Sequence, residues 1–423
     1  MSQVLSSAWA LLLGMGLLMV GNGLQGTLLG VRGQLEGFST FEMSVVMSSY
    51  FLGFLGGSRI APDMIRRVGH VRVFAALASF ISAVMILYPM FTNPIAWSLG
   101  RVLIGFCFSG VYVTAESWLN NAADNANRGK ALSAYMIVQM AGIVAAQALM
   151  LAGDPAGYET FVIASVLVSI SFAPILLSIS PTPSFERTQP MTLRQLMTAS
   201  PLGCVGMFLM GGVFSAQFGM SAVYGAEVGL TLAEISTFVA AFYIGATVFQ
   251  YPIGWLSDRM DRRLMIMAGS IGAGLGSILG IMMGDQFIVL LFAALLIGGL
   301  ANPLYSLLIA YTNDYLEHED MAAASGGLVF INGLGAIAGP LFMGWLMDDA
   351  IIGPSGYFMF MAGLLFALAL YAAYRMTQRP SVPVEDTGVM AAVYPSSTAM
   401  AVEYAQEFAI EADQDGQDDA EAA

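Results

Sequence analysis

The stretch GWLSDRMDRR, residues 254–263, carries three arginines and two aspartates within ten residues. It directly follows an apolar run, in a chain of 423 residues that is 57% hydrophobic and only 10% charged. Charged groups are costly in an apolar environment, so the stretch marks a point where the chain returns to water. The arginines and the aspartates together need an explanation, because topology alone requires only the arginines.

The apolar runs on either side of this stretch predict a membrane protein. Runs of about 18 to 25 residues are long enough to cross the hydrocarbon core as helices. Twelve such runs lie near residues 6–29, 42–61, 72–91, 95–118, 130–151, 158–179, 201–222, 234–256, 264–284, 286–311, 321–346 and 355–376. We therefore predict an all-α membrane protein with twelve transmembrane helices.

The basic residues indicate how the chain is oriented. With both termini in the cytoplasm, twelve of the fifteen Lys and Arg residues fall in cytoplasmic segments: Arg66, Arg67, Arg72, Arg128, Lys130, Arg187, Arg194, Arg259, Arg262, Arg263, Arg375 and Arg379. Arg32 then lies in an outer loop, and Arg59 and Arg101 lie within helices. The positive-inside rule favours this orientation, and we expect a multi-pass protein of a bacterial inner membrane.

The two halves of the chain repeat each other weakly. A shift of 192 residues aligns GFSTFEMS (37–44) with GLTLAEIS (229–236) and Gly53 with Gly245, and a shift of 193 aligns Gly105 with Gly298. A parallel repeat of this kind predicts two six-helix bundles related by an axis along the membrane normal. The predicted units are residues 1–180, a cytoplasmic linker at 181–200, and residues 201–379.

Two acidic residues occupy equivalent positions in the repeat. Glu42 follows Ser39 by three residues, and Glu234 follows Thr231 by three. This spacing predicts capping boxes, in which the hydroxyl and the carboxylate satisfy free backbone donors at a helix start. We prefer the capping boxes to the alternative that both carboxylates carry protons.

Residues 380–423 contain ten carboxylates and neither Lys nor Arg. A segment of high net charge and low aromatic content seldom buries enough apolar surface to fold. We therefore expect an acidic, disordered tail.

The charged stretch resembles the signature loop of the major facilitator superfamily, G-x-L-x-D-R-x-G-R-R, with Asp261 where glycine is usual. IRRVGHVR (65–72) is similar to its first-half counterpart, and RVLIGFCFS (101–109) is similar to the family's R-x-x-x-G motif. AESWLNNAADNANRGKALSAYM (115–136) and LGAIAGPLFMGWLM (334–347) are most similar to the YcaD-type branch of bacterial transporters. The resemblance covers residues 5–376 and implies transport by alternating access.

The resemblance also implies a role for the charges at the cytoplasmic rim. Asp258 would cap a neighbouring helix and pair with a basic side chain when the protein faces outward. We expect a gating network of Asp258, Arg259, Arg262, Arg263, Arg66, Arg67, Glu116 and Arg128. The alternative, that these charges only fix the topology, explains the arginines but not the aspartates.

Polar residues inside the predicted helices suggest where a solute binds. The candidates are Asn22, Gln25, Arg101, Gln139, Gln217, Asn302, Tyr305 and Asn332. If Arg101 faces a cavity, its guanidinium would favour a solute carboxylate. If it does not, Arg101 bridges helices 1 and 4, and each amide taken alone is as well suited to joining helices.

These features favour a secondary active transporter for a small polar or anionic solute, with either a proton or sodium as the coupling ion. Multidrug/proton efflux is the alternative, and the absence of Asp, Glu and His from the central third of every predicted helix disfavours it. A transporter-like solute receptor is a second alternative. No pattern indicates an enzyme, a metal or another cofactor. We expect a monomer whose partners are the bilayer and its solute, not nucleic acid.

Overall fold

The computed structural model describes the backbone of residues 2–122, 128–177, 191–383 and 387–422, and the side chains of 1–7, 121–122, 128, 318–319 and 411–422 lie outside that description. Every regular element within these ranges is a helix. The helices are α1 Ser2–Leu35, α2 Thr40–Val68, α3 His70–Leu87, α4 Pro94–Ala122, α5 Arg128–Leu149, α6 Glu159–Ser171, α7 Ala173–Leu177, α8 Leu193–Ala199, α9 Pro201–Ser215, α10 Ser221–Glu227, α11 Leu232–Ser257, α12 Arg262–Met283, α13 Phe287–Asn313, α14 His318–Leu346, α15 Gly356–Gln378 and α16 Ala399–Ala422. A π-helical turn, Ala216–Met220, joins α9 to α10.

In the described part of the chain, eleven helical segments are long and apolar enough to cross a membrane. This confirms the prediction of an all-helical membrane protein. Helix α2 is 29 residues long but is not among the eleven. Its second half carries Arg59, Asp63, Arg66 and Arg67, which lower its hydropathy. The twelfth crossing therefore stays a prediction.

Both predicted capping boxes are confirmed. The Ser39 N–H donates to Glu42 Oε2 at 2.8 Å, and the Glu42 N–H donates back to Ser39 Oγ at 3.2 Å. Thr231 and Glu234 make the same pair of bonds at the start of α11. These bonds fix the first residues of α2 and α11.

The repeat-aligned glycines occupy matching helix crossings. A Cβ atom on Gly53 or on Gly105, where α2 crosses α4, would lie 1.9 Å from a carbonyl oxygen of the facing helix. On Gly245 and Gly298, where α11 crosses α13, the corresponding distances are 2.2 Å and 2.1 Å. Only glycine allows backbones to approach this closely, which is a common device between membrane helices. The two halves thus share one packing feature at aligned positions.

Helices α1–α7, the first group, contact mainly one another, and helices α9–α15, the second group, do the same. The groups meet through the pairs α1–α10, α2–α14 and α5–α11. At one end, called the far end, the contact is direct: Ser48 Oγ donates to the Ile337 carbonyl at 2.6 Å, and Gly30 lies against Ala222. The opposite end, called the tail end, carries residues 258–263 and the C-terminal segment.

The C-terminal segment differs from the predicted disordered tail. Residues 387–398 run between the two groups at the tail end, and α16 packs against α4, α5 and α14. Val393, Ala401, Val402 and Tyr404 are at most 1% exposed. The prediction fails for residues 387–410 because MAAVYPSSTAMAVEYAQ (390–406) contains a single carboxylate. The acidic residues that suggested disorder lie mainly outside this stretch.

Candidate functional site

A cavity lies between the two groups. Its wall comes from α1, α2, α4 and α5 of the first group and from α9, α11, α13 and α14 of the second. Residues 394–397 of the C-terminal segment form the wall at the tail end. None of the described residues that line it carries a charged side chain. Both halves of the chain therefore contribute to one uncharged chamber.

Three of the eight predicted solute-binding residues, Asn22, Asn302 and Asn332, line the cavity. Asn22 Nδ2 donates to Tyr112 Oη at 3.1 Å, whereas Asn22 Oδ1 is buried and makes no hydrogen bond of good geometry among the described residues, although the Tyr50 hydroxyl lies near the Asn22 side chain. Asn332 Nδ2 donates to the Met207 carbonyl at 3.0 Å. A buried amide oxygen without a donor is unfavourable unless something else supplies one. Asn22 Oδ1 is thus positioned to accept a hydrogen bond from a bound molecule.

Aromatic rings make up much of the remaining wall. Tyr50 and Phe218 lie 5.4 Å apart between ring centroids, and Phe214 stacks on Phe218 at 5.8 Å. The other lining aromatics are Phe51, Phe54, Tyr112, Tyr243 and Tyr394. Rings at these spacings offer flat apolar faces, against which a planar or ring-shaped molecule packs well.

Arg101 and Gln25 do not line the cavity but form a separate buried cluster. Arg101 is 0% exposed, and its Nη1 donates to Gln25 Oε1 at 3.1 Å. Its guanidinium lies 4.8 Å from the centroid of the Tyr50 ring, and Gln25 Nε2 lies 3.5 Å from Tyr88 Oη. Arg101 therefore bridges α1 and α4, the alternative left open from the sequence, and its charge is held behind the cavity wall.

The other three predicted binding residues are buried outside the cavity lining. Gln217, in the π-helical turn, accepts a hydrogen bond at 2.8 Å from Asn302 Nδ2, so it orients a residue that does line the cavity. Gln139 Nε2 and Tyr305 Oη have no partner in the described part of the chain. The geometry supports an indirect role for Gln217 and assigns no contact with the cavity to Gln139 or Tyr305.

At the tail end, Asp258 and Arg262 hold the C-terminal segment. Asp258 Oδ1 accepts from the Met390 N–H at 2.9 Å, and Arg262 Nη2 donates to the Gly388 carbonyl. Arg262 is 3% exposed, and it also donates to the Ala310 carbonyl at 3.1 Å and pairs with Asp314. Burial raises the pKa of Asp314 to about 6, against the opposing attraction of Arg262. The aspartate of the charged stretch thus binds tail backbone.

Arg263 and Asp261 form a second ion pair in the same stretch. Arg263 Nε and Nη2 donate to the two carboxylate oxygens of Asp261 at 3.2 Å and 2.9 Å, and Arg263 Nη1 donates to the Arg379 carbonyl at 2.7 Å. Partial burial alone would raise the pKa of Asp261, but the Arg263 hydrogen bonds and charge hold it below its ordinary value. The pair anchors the end of α15 where the C-terminal segment begins.

The remaining predicted gating arginines lie apart from this network. Arg259 is exposed and stacks on Trp255 at 4.3 Å from the ring centroid. Arg66 is exposed and pairs with Asp63 at 2.5 Å, and Arg67 is exposed on the same helix. The Arg128 side chain lies outside the described residues. The structure therefore brings together Asp258 and Arg262, with Arg263 beside them. Arg66, Arg67 and Arg259 do not join this cluster.

Glu116 is 2% exposed near the tail end of α4. Tyr135 Oη donates to Glu116 Oε1 at 3.2 Å, and Thr398 Oγ1 donates to Oε2. Thr398 directly precedes α16, so the carboxylate lies at that helix's N-terminus, where negative charge is favoured. Glu116 thus belongs with the residues that hold the C-terminal segment.

Two family models each match one part of the chain. The model described as "Major Facilitator Superfamily" matches residues 202–402, and the model described as "Sugar (and other) transporter" matches residues 10–186. The chain belongs to the major facilitator superfamily. Proteins of this superfamily are transporters and not enzymes, as expected from the sequence.

Bacterial relatives extend the match over most of this transporter. It is 28% identical over 324 residues to the uncharacterized MFS-type transporter YcaD of Escherichia coli O6:K15:H31 (strain 536 / UPEC), covering 74% of this chain and 82% of the relative. It is 26% identical over 352 residues to an uncharacterized MFS-type transporter of Enterobacter sp. (strain 638), covering 82% and 90%. The predicted resemblance to the YcaD-type branch is confirmed.

Solved transporters share the fold. A mutant of the nucleoside transporter NupG superposes with a TM-score of 0.73 at 15% identity, covering 86% of this transporter and 98% of that chain. The D-xylose–proton symporter gives a TM-score of 0.66 at 13% identity, covering 86% and 96%. At these identities the likeness concerns the helical architecture alone.

Several site residues of this transporter were missed from the sequence. Tyr394 and Thr398 were assigned to a disordered tail, and Asp314 was not singled out. The alternation of small, apolar and hydroxyl residues in 390–406 was the available signal for the tail. Asp314 carries no local signal, because its partner Arg262 is 52 residues away.

Proposed function

We propose that this transporter moves a small, uncharged polar solute through the central cavity by alternating access. In this proposal the two groups are six-helix bundles with both termini in the cytoplasm of a bacterium, and the tail end is the cytoplasmic end. The clustering of basic residues at segments of the tail end supports that orientation. The coupling ion, a proton or sodium, stays open.

The lining of the cavity carries the proposal on the solute. Amides from both groups face a chamber whose described lining residues are uncharged, and Asn22 Oδ1 lacks a donor. A solute with at least one hydroxyl or N–H group would supply that donor, and a flat ring would pack on the aromatic wall. An anion would lose its hydration shell without gaining a cation, since Arg101 lies behind Tyr50.

Thermal unfolding of the purified full-length protein tests the solute class. A panel should contain neutral ring compounds with hydroxyl groups, such as nucleosides and pentoses, together with organic anions and lipophilic cations. We expect stabilisation by members of the neutral set. Stabilisation by anions alone, or by cations alone, would reject the proposal.

Two matched substitutions locate the binding. Asn22→Ala removes the unpaired acceptor from the cavity wall and should abolish the stabilisation by solute. Gln139→Ala also truncates a buried amide of the first group, but this amide lies outside the cavity lining. The Gln139→Ala protein should therefore still be stabilised by solute. Equal losses in the two variants would show that the response does not report binding in this cavity.

A further inference from the structure

The mouth of the cavity at the tail end is filled by the chain's own C-terminal segment. Residues 394–397 complete the cavity wall, and α16 lies against α4 and α5 of the first group and α14 of the second. At the far end the two groups touch directly, through contacts such as that between Ser48 and Ile337. The cavity is thus closed by helix packing at one end and by the tail at the other.

Polar contacts hold the tail at points on both groups. In the second group, Ser306 Oγ accepts from the Val393 N–H at 2.9 Å and donates to the Val393 carbonyl at 2.7 Å. Ser325 Oγ donates to Gln406 Oε1 at 2.7 Å, also in the second group. In the first group, Glu116 accepts from Thr398. The tail therefore contacts both groups at the tail end.

The attachment is suited to release. Most of these bonds join tail backbone or hydroxyl groups to polar side chains at the mouth, and water can replace each of them at modest net cost. The apolar part of the attachment consists mainly of small or medium-sized side chains, with two tyrosines as the largest buried ones: Met390, Val393, Tyr394, Ala401, Val402, Tyr404 and Ala405.

From this arrangement we infer that residues 387–410 are an autoinhibitory plug. In the plugged state the tail stops the solute from leaving or entering at the tail end, and it also keeps the two groups from closing there. Transport requires the plug to leave the mouth, so whatever binds or displaces the tail sets the rate. Asp258, Arg262 and Glu116 are the plug's receptor in the helices. The regulatory reading rests on the proposed transport function, but the occlusion itself does not.

Cysteine labelling tests the occlusion without any solute. Ala336→Cys places a thiol on the cavity wall, at a position 2% exposed, and the native Cys107 and Cys204 are buried. The full-length protein in detergent is treated with a bulky hydrophilic maleimide. Ala401→Asp then puts a charge on a fully buried face of the plug, whereas Ala392→Asp makes the same change at an exposed tail position.

We expect the thiol introduced by Ala336→Cys to react at least ~10-fold faster when Ala401→Asp is also present, because burying an unpaired carboxylate favours the released tail. The rate with Ala392→Asp should stay within about twofold of the parent. Cys107 should stay unlabelled throughout, which distinguishes release of the plug from unfolding. Equal labelling in the parent and both variants would overturn the inference.

A milder variant decides the case in which Ala401→Asp also exposes Cys107. Thr398→Val removes the bond to Glu116 and keeps the side-chain volume nearly unchanged. Faster labelling of the cavity thiol with Cys107 still protected would support the plug, and no change would overturn it. If the plug is confirmed while no neutral solute stabilises the protein, only the proposed solute class fails.

Discussion

Gly105→Ala should damage the fold and the cavity together. The added Cβ would lie 1.9 Å from the Tyr50 carbonyl oxygen, 2.8 Å from its carbonyl carbon and 3.0 Å from the Phe54 nitrogen. Ordinary contact begins near 3.4 Å, so α2 and α4 must separate by roughly 1.5 Å at this crossing. All three atoms are backbone and cannot rotate away. Overpacking of this kind costs about 1–3 kcal/mol and occasionally more.

The control lies on the partner helix. A Cβ on Gly56 meets nothing within 4 Å, so Gly56→Ala adds the same methyl group to α2 without a clash. In thermal unfolding in detergent, Gly105→Ala should clearly lower the melting temperature, and Gly56→Ala should change it little. Because Tyr50 and Phe54 line the cavity, Gly105→Ala should also weaken stabilisation by solute. Equal stability of the two variants would refute the reasoning that these crossings require glycine.

Other predictions concern buried charges. Asp314 has a pKa near 6 in the folded protein against an ordinary value of 3.8, so the folded state holds its proton more tightly. Its contribution to stability is therefore greatest at low pH and is lost as the pH rises from about 4 to 6, by up to about 3 kcal/mol. Between pH 4 and 6, the difference in melting temperature between the parent and Asp314→Asn should shrink or change sign. Plots of melting temperature against pH that run parallel for the two proteins would contradict this. Arg101→Ala should lower stability by about 1–3 kcal/mol by leaving Gln25 Oε1 unpaired. The Arg101→Ala protein should still be stabilised by neutral solutes in the thermal assay. If it stays folded but loses that stabilisation, Arg101 belongs to the binding site.

Local sequence patterns predicted much of the fold, because each of them depends on short-range physics. The Ser39–Glu42 and Thr231–Glu234 spacings identified both capping boxes, since the two partners are three residues apart on the chain. The apolar runs identified the helices because the hydrocarbon thickness sets their length. The aligned pairs Gly53 with Gly245 and Gly105 with Gly298 were noted only as signs of a repeat, and the structure places them at close helix crossings.

The site depended on contacts that no local pattern reveals. Charge and composition predicted a solvated tail, but the apolar stretch 390–406 gains more by filling a mouth built from both halves of the chain. The rotation of α4 about its axis decides the direction in which the Arg101 side chain points. The hydrophobic periodicity of the sequence does not show whether that side chain faces the cavity or Gln25. The charged stretch lies at the tail end, but Asp258 binds tail backbone, a partner 132 residues away in the chain.

Uptake by proteoliposomes tests most directly whether the solute crosses through the cavity that the two groups share. Initial rates should be measured with a radiolabelled neutral solute that stabilises the protein, for the parent, Asn22→Ala and Gln139→Ala, each carrying Ala401→Asp to release the plug. We expect uptake by the parent and by Gln139→Ala, and a rate near that of empty liposomes for Asn22→Ala. Undiminished uptake by a well-folded Asn22→Ala protein would contradict the account.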